Sequence, residues 1–561
     1  MKPTTPRPTR RRRRPVRAAV AAVLVAVTAL SACARPAGPA GAAENSLTYL
    51  EPQFFNTLYP PAAGYYANGA VVNNIADRLL YQDPETLELS PWIATELPEV
   101  NDDATEYTFT IRTDVTYSDG SPLTAENVVR NFDLYALGDK SRSLTSSEQI
   151  SNYSHGEVLA ENRVRFHFDA PAPGFAQATS SFNAGLLSDA TLAKGNEGFS
   201  PGSATGVSGS GPFVITGEKL GTELVLSARE DYDWAPPALA HQGRAGLDEV
   251  RYVLAGEESV RVGALTAGQA DLVREVAAPE ERHLEDRGIG IVSHGTNGMN
   301  NQLAFRFRHP LLQDRRVRQA IIAGVDRGEI MRTLFSASYP MAEAPMARTA
   351  LGHRAQPEEA YAFDPERSRE LFAEAGWTPG EDGILVKDGR RMELTVNEAI
   401  AQPRSREVVT KLQEQLRRVG VEINLNPGDN ATQKADLLDQ DKIQIAHTMV
   451  GRADVDVIRS LYHSETRNQL LNGDSADGSV GDEHLEKLLD AVASDPDAAD
   501  RERLAGEAQD WVTENAYVLP LFEEPVVYGV QPWVKGFRPE SIGRPSFYTV
   551  TLDNEAREAA K

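Results

Sequence analysis

The residues of this 561-residue chain with the most obvious chemical potential are its 81 carboxylates and ten histidines. Paired carboxylates can act as general acid and base, and suitably spaced histidines can hold a metal ion. The histidines are scattered, and the sequence lacks the motifs H-E-x-x-H and G-K-[ST]. The glycine-rich segment GVSGSGPF, 206–213, is more typical of a tight entry into a strand. We therefore expect no enzyme, no cofactor and no metal centre. A glycosidase-like carboxylate pair stays open, because so acidic a chain offers many pairs.

The chain has a single cysteine, Cys33, and its surroundings favour a modified thiol. A basic cluster at 10–17 precedes an uncharged run at 18–30, which is shorter than the ~20 residues that span a bilayer. Such a basic and then apolar segment, ended by small residues, is typical of a secretory signal. The tetrapeptide LSAC, 30–33, resembles the bacterial lipobox, which implies cleavage before Cys33 and acylation of its thiol. The alternative is an ordinary signal with an incidental cysteine, and the export route, Sec or twin-arginine, stays open.

The signal predicts that the folded part lies on the outer side of the cytoplasmic membrane, and the composition and charge of the chain agree with this placement. We predict a signal peptide at 1–32 and a flexible tether, rich in Ala, Gly and Pro, at 33–45. The formal charge is −24, and removal of the eight basic residues in 1–32 takes it to −32. A body this acidic is not expected to bind nucleic acid or an anionic bilayer, so the lipid must act as the anchor. The remaining chain is long enough for two or more lobes.

The rest of the chain alternates strand-like and helix-like segments, which indicates an α/β architecture. The segment LTYL, 47–50, is expected to form the first strand, and EYTFTIRTDV, 106–115, alternates like a half-buried strand. Thr124 is predicted to cap the helix that follows. The segment 405–425 carries a helical apolar stripe, a glycine stop and an alternating strand in succession.

Five segments, in order, resemble the peptide/nickel-binding family of solute-binding proteins, the extracellular receptors of ABC importers (bacterial extracellular solute-binding protein family 5). They cover most of the chain after the tether. The segments are SPWIATELPEVNDDATEYTFTIRTDVTYSDGSPLTAENVV (90–129), GSGPFVI (209–215), LLQDRRVRQAIIAGVDRGEIM (311–331), FDPERSRELFAEAGW (363–377) and PLFEEPVVYGV (520–530).

The resemblance implies a two-lobed fold of the class II periplasmic-binding-protein type, with an extra subdomain in the first lobe and ligand between the lobes. The expected subdomain is 81–199 and the expected second lobe 296–517. The expected first lobe is discontinuous and comprises 46–80, 200–295 and 518–555. Closure around a ligand is a hinge motion, which needs contacts from both lobes and no catalytic group.

The resemblance also identifies candidate ligand contacts in the second lobe. The segment ADVDVIRSLYHS, 453–464, is similar to a family motif whose acidic residue holds the ligand ammonium in the peptide branch. Asp454 stands at that position, with Val455 in place of the usual proline. The alternative is that Asp454 or Asp456 caps the next helix. His447 and His463 flank the segment and keep a nickel chelate open as the ligand.

Further candidates lie on a loop of the first lobe and on the expected crossing between the lobes. Tyrosine rings on a loop beside a cleft can pack against apolar parts of a solute and offer a hydroxyl for a hydrogen bond. Asparagine side chains can also hydrogen-bond a solute. The candidates are Tyr59, Tyr65, Tyr66, Asn297, Asn300 and Asn301.

The sequence and the resemblance together predict an anchored, monomeric receptor that captures a peptide or peptide-like solute. Its expected partners are the permease and ATPase subunits of an importer. Two alternatives remain: a receptor for a nickel chelate or other non-peptide organic solute, and a surface receptor without transport.

Overall fold

The computed structural model describes residues 45–400, 402–466, 472–473 and 478–560, apart from the side chain of Asn430. Cys33, the predicted signal peptide and all of the predicted tether except Asn45 lie outside the described residues. Within the described ranges, no helix is long and apolar enough to cross a membrane.

The first lobe is built on a seven-stranded mixed sheet. Its first strand, Ser46–Glu51, includes the predicted LTYL segment and runs parallel to two neighbours, with Leu47 and Tyr49 fully buried. In spatial order the strands are Gly290–Gly295, Pro525–Val530, Leu272–Arg274, Ser46–Glu51, Glu249–Leu254, Glu223–Ala228 and Phe213–Lys219.

Helices and short ribbons complete this lobe. The α-helices are Tyr66–Ile75, Glu258–Thr266, Ala278–Glu285 and Asn554–Ala559, and the nearby 3-10 turns are Pro60–Ala62, Asn196–Phe199 and Ala204–Gly206. Two ribbons from the end of the chain pair Val534–Lys535 with Thr551–Leu552 and Arg538–Pro539 with Pro545–Ser546. The segment after Pro525 therefore returns to the first lobe.

The subdomain is a four-stranded antiparallel sheet covered by one long helix. The predicted strand at 106–115 is confirmed over Glu106–Thr110, where Tyr107 and Phe109 are buried as predicted, but Thr108 on the opposite face is buried as well. Thr124 accepts a hydrogen bond from the Asn127 N–H and so begins the helix Ala125–Leu137 as predicted. The other elements are Glu99–Val100, Tyr153–Ala160, Arg163–Phe168, the ribbon Leu80–Gln82 with Leu89–Pro91, Phe175–Ala178, Asp189–Leu192, Lys140–Arg142 and Phe182–Ala184.

The second lobe has a five-stranded mixed sheet between two groups of helices. The strands, in spatial order, are Glu422–Asn426, Glu393–Asn397, Ile445–Gly451, Gly298–Phe305 and Val518–Phe522. The helices are Arg315–Ala323, Arg327–Leu334, Glu358–Tyr361 (3-10), Pro365–Glu374, Ser405–Arg417, Asn430–Asp436, Val457–Tyr462, Glu483–Ser494 and Ala498–Glu514. A small ribbon joins Thr378–Pro379, Leu385–Lys387 and Arg390–Arg391.

The predicted helix-to-strand unit at 405–425 is confirmed. The stripe residues Val408, Leu412 and Leu416 are at most 1% exposed, because they cover the five-stranded sheet. Gly420 lies in the turn between the helix and the strand with a φ of +87°, a conformation that glycine adopts without steric cost.

Two crossings connect the lobes. The first passes from Gly290–Gly295 to Gly298–Phe305, and the second from Val518–Phe522 to Pro525–Val530. The Thr296 N–H donates to the Glu524 carbonyl at 2.8 Å, so the crossings are adjacent. The expected first-lobe boundary at 518 is five residues early, since Val518–Phe522 pairs with the second-lobe strand Gly298–Phe305.

Candidate functional site

A cavity of about 360 Å³ lies between the lobes, at the lower end of the range of small-molecule sites. The first lobe contributes neutral polar and apolar groups and one charged residue, Glu540, whereas most of the lining residues of the second lobe are charged. The lining residues include Gln82, Gly174, Glu540 and Ser541 of the first lobe, and Arg452, Asp454, Asp456, Arg459, Asp490 and Arg501 of the second.

The loop 452–456 of the second lobe closes one side of this cavity. Ala453 packs against the core of the first lobe, and Arg452 Nη2 lies 4.0 Å from Glu148 Oε2 of the subdomain. Gly174 of the subdomain faces Asp454 so closely that an added Cβ would lie 3.1 Å from Asp454 Oδ2. The two lobes are therefore in contact at the loop 452–456, which contains the predicted ligand contact Asp454.

Asp454 lines the cavity, but its charge is already paired. Its Oδ1 lies 2.7 Å from Nη2 of Arg501 and its Oδ2 lies 3.3 Å from Nη1. Burial alone would raise the pKa of Asp454, but the Arg501 guanidinium outweighs burial and holds that pKa below its ordinary value. Asp454 is thus an ionised carboxylate with a counter-charge from its own lobe.

Neither Asp454 nor Asp456 caps the next helix directly, but Asp454 stabilises the turn that leads into it. The helix begins at Val457, and the Asp456 side chain makes no capping bond to it. Asp454 Oδ1 instead accepts the Asp456 N–H at 2.9 Å, which fixes the turn just before the helix.

The other second-lobe carboxylates at the cavity are also paired. Asp456 Oδ1 lies 3.3 Å from Nη1 of Arg452, and burial with the neighbouring Asp454 charge raises the pKa of Asp456. Asp490 Oδ1 lies 3.4 Å from Nη2 of Arg459. Each arginine that lines the cavity therefore has a carboxylate partner.

A turn at 540–544, which sequence reasoning missed, forms part of the first-lobe wall. The Asn297 side-chain amide donates to the Ser541 carbonyl, and the Ser541 hydroxyl donates to Gln82 Oε1 at 2.6 Å. The hydroxyls of Tyr66 and Tyr528 donate to the Gly543 carbonyl at 2.9 and 2.6 Å. Glycine and flanking prolines mark a turn in the sequence there, but no local signal places it at the cavity.

The three tyrosine candidates do not line the cavity. Tyr66 supports the 540–544 turn, and its ring lies under the Arg274 guanidinium at 3.8 Å. Tyr59 is buried, and its hydroxyl donates to the Leu134 carbonyl at 3.3 Å. Tyr65 is 39% exposed and directly precedes the helix Tyr66–Ile75. Tyr66 is therefore a supporting residue, and Tyr59 is a core residue.

The three asparagine candidates are buried around the crossings. Asn297 holds the 540–544 turn, and Asn300 Nδ2 donates to the Ala344 carbonyl at 2.8 Å. Asn301 Nδ2 donates to Glu524 Oε2 at 3.1 Å, while its Oδ1 lies 2.6 Å from His447 Nε2. None of the three lines the cavity, and Asn301 is the one whose side chain bonds to a residue of the second crossing.

The two histidines considered for a nickel chelate do not share a site. His447 is 1% exposed and bonded through Nδ1 to Ser405 Oγ at 2.8 Å, and burial lowers its pKa to about 4. His463 Nε2 lies 2.9 Å from Asp490 and 3.1 Å from Glu486. In the part of the chain that the structure describes, no group of three His, Cys, Asp or Glu residues could hold a metal ion.

Comparison with known proteins agrees with this architecture. The profile of the bacterial extracellular solute-binding proteins, family 5, matches residues 88–469. The chain is 28% identical over 345 residues to Protein XP55 of Streptomyces lividans and 24% identical over 388 residues to the oligopeptide-binding protein AppA of Bacillus subtilis (strain 168). These matches cover 60% and 66% of this chain, but only 58% and 66% of the two relatives.

A solved structure, NikA from Brucella suis in complex with Fe(III)-EDTA, superposes with a TM-score of 0.76 at 21% identity. It covers 91% of this chain and all of that one. The expected two-lobed α/β fold is thereby confirmed. The matching profile describes binding proteins rather than enzymes, in agreement with the expectation that this chain is not an enzyme.

Proposed function

Since this chain belongs to the bacterial extracellular solute-binding proteins of family 5, we propose that it captures a small peptide or peptide-like solute and delivers it to an ABC importer. The observation that carries the proposal is the cavity between the lobes, whose wall includes Glu540 and Ser541 on one side and Asp454 and Arg501 on the other. A solute in this position contacts both lobes and so favours the closed state over the open one.

The proposed solute class rests on AppA, whose name assigns it oligopeptides. The cavity volume of about 360 Å³ favours a short solute over a long peptide. A nickel chelate and other organic solutes are the alternatives that a binding test should include.

The proposed partners are a permease and an ATPase, which would read the closed state of a monomeric receptor. We also propose that a lipid on Cys33 holds the protein on the outer side of the cytoplasmic membrane. This assignment relies on the LSAC segment and on the acidity of the chain, which leaves electrostatic adsorption to an anionic bilayer unfavourable.

The proposal is tested by identifying the solute that purifies with the protein. Denaturation should release it for mass spectrometry, and adding it to stripped protein should raise the melting temperature, because a ligand that binds only the folded form stabilises that form. A carried solute that leaves the melting temperature unchanged at saturating concentration would overturn the proposal.

A further inference from the structure

The charged groups that line the cavity leave one negative charge unbalanced. Seven of the lining residues carry a formal charge: the arginines Arg452, Arg459 and Arg501, and the carboxylates Asp454, Asp456, Asp490 and Glu540. Each arginine lies within 3.4 Å of one of the three aspartates. The fourth carboxylate, Glu540, belongs to the first lobe.

Glu540 forms no ion pair within 4 Å with any residue in the described ranges. Its Oε1 accepts the backbone N–H of Arg544 at 2.8 Å, and its Oε2 lies 3.4 Å from the Ser541 hydroxyl. That hydroxyl is closer to Gln82 Oε1, at 2.6 Å. The Oε2 atom of Glu540 is therefore free to accept a strong hydrogen bond.

The arginines near Glu540 make their direct contacts with other groups, although the charge of Arg78 acts on Glu540 at longer range. Arg78 Nη1 donates to Asn73 Oδ1 at 2.7 Å, and its guanidinium lies 4.6 Å from the centre of the Trp92 ring. Arg538 forms an ion pair with Glu85. Burial lowers the pKa of His294, which favours the neutral form of its ring.

We infer that Glu540 receives a positively charged group of the solute, an ammonium or a guanidinium, and that the solute carries one net positive charge or has its cationic end at this wall. The inference rests on the proposed function, because it concerns the same cavity. A charge-assisted hydrogen bond to a carboxylate is among the strong polar contacts, and Glu540 is the cavity carboxylate that no arginine already occupies.

The hydrogen bonds that hold the turn around Glu540 favour its role as the binding site of a solute cation. The 540–544 turn is held by hydrogen bonds within the protein, from Asn297, Gln82, Tyr66 and Tyr528. A carboxylate on a pre-formed turn loses little conformational freedom on binding. Because Glu540 and the Asp454–Arg501 pair lie on opposite lobes, a solute held by Glu540 has its other end against the loop that closes the cavity.

The test uses matched probes on the full chain stripped of carried solute. The probes are dipeptide amides and small alkyl amines, each compared by calorimetry with its N-acetylated counterpart, and alkyl guanidines, each compared with the corresponding neutral urea. The tightest cationic probe should bind at least tenfold more strongly than its neutral counterpart. Glu540→Gln should weaken the cationic probe by about ten- to a hundredfold and leave the neutral one unchanged.

Two further variants separate this effect from a loss of folding. Glu540→Asp retains the charge and should retain the preference for the cationic probe. Glu99→Gln removes one carboxylate from the exposed edge of the subdomain, where it pairs with Arg163, and should leave both affinities unchanged. Melting curves on each variant show whether it is folded.

The outcomes distinguish the inference from the proposed function. Equal binding of the two members of a pair, an unchanged affinity in Glu540→Gln, or binding confined to the neutral probes would overturn the inference while the receptor function stands. Failure of every probe to bind would overturn the inference, and failure of the carried solute to bind as well would overturn the proposed function with it.

Discussion

Asp454 and Arg501 form a buried ion pair within the second lobe, with 2.7 Å between Oδ1 and Nη2. The two side chains are 11% and 7% exposed, and the pair lies directly against Gly174 of the first lobe. Asp454 therefore faces the cavity with its charge already compensated by Arg501. Its role is then in the contact between the lobes, whereas the binding of a solute cation is assigned to Glu540.

The first prediction concerns this pair. Arg501→Gln should destabilise the protein by about 3 to 5 kcal/mol, because it leaves the Asp454 carboxylate buried without a partner. The double variant Asp454→Asn with Arg501→Gln should recover part of that loss, and chemical denaturation of both single variants and the double measures the coupling. Strictly additive losses would show that the two charges do not stabilise each other.

The same variants report on the solute. If Asp454 were the direct anchor of a ligand ammonium, the double variant would lose affinity for a cationic probe as strongly as Asp454→Asn does. We expect the double variant instead to keep most of its affinity for the probe, because the cavity charge is then unchanged.

A second prediction concerns Gly174. Its backbone dihedral angles, φ −79° and ψ 0°, are allowed for any residue type. A side chain at this position therefore affects mainly the contact with Asp454. Gly174→Val should hold the lobes apart and weaken solute binding at least tenfold, with little change in the melting temperature of the solute-free protein. Gly263→Val is the control, since an added Cβ at Gly263 meets nothing within 4 Å. Equal affinity in both variants would mean that Gly174 does not limit closure.

A third prediction concerns Glu524, in the second crossing. Burial raises the pKa of Glu524 from 4.5 to about 8, despite the hydrogen bond from Asn301, and Glu275 adds to the rise. Between pH 4.5 and 8 the folded protein holds a proton that the unfolded chain releases, so stability falls as the pH rises through this window. Glu524→Gln removes that dependence.

Melting curves between pH 5 and pH 8.5 measure this difference. The melting temperature of Glu524→Gln should rise relative to that of the unmodified protein as the pH increases. Glu99→Gln, on the exposed edge of the subdomain, should instead run parallel to the unmodified protein. A constant offset for Glu524→Gln across the range would contradict the raised pKa.

A fourth prediction concerns attachment to the membrane. Cys33→Ser should release the protein from the cell envelope and abolish palmitate labelling, because the thiol is the proposed acylation site. Ala40→Ser, which adds a hydroxyl in the same segment and keeps the thiol, should remain attached and labelled. Labelling that persists in Cys33→Ser would place the lipid on another residue and contradict the proposed acylation of Cys33.

Local structure was largely predictable from the sequence, because its signals lie within a few residues of one another. The Thr124 cap and the stripe and glycine stop at 405–425 are of this kind. The site was less predictable, because its pairs are distant: Asp454 meets Arg501 47 residues later, and Asn297 meets Ser541 244 residues later. The asparagines and tyrosines have the right chemistry for ligand contacts, but tertiary packing uses Asn297 and Tyr66 to hold the wall of the cavity.

The central claim, that a solute is trapped between two closing lobes, is tested most directly by small-angle X-ray scattering of the stripped protein, before and after addition of the solute recovered from it. We predict that the radius of gyration falls on addition of the solute, and that Gly174→Val abolishes the change while Gly263→Val retains it. A solute that binds tightly in calorimetry and leaves the scattering profile of the unmodified protein unchanged would contradict the account.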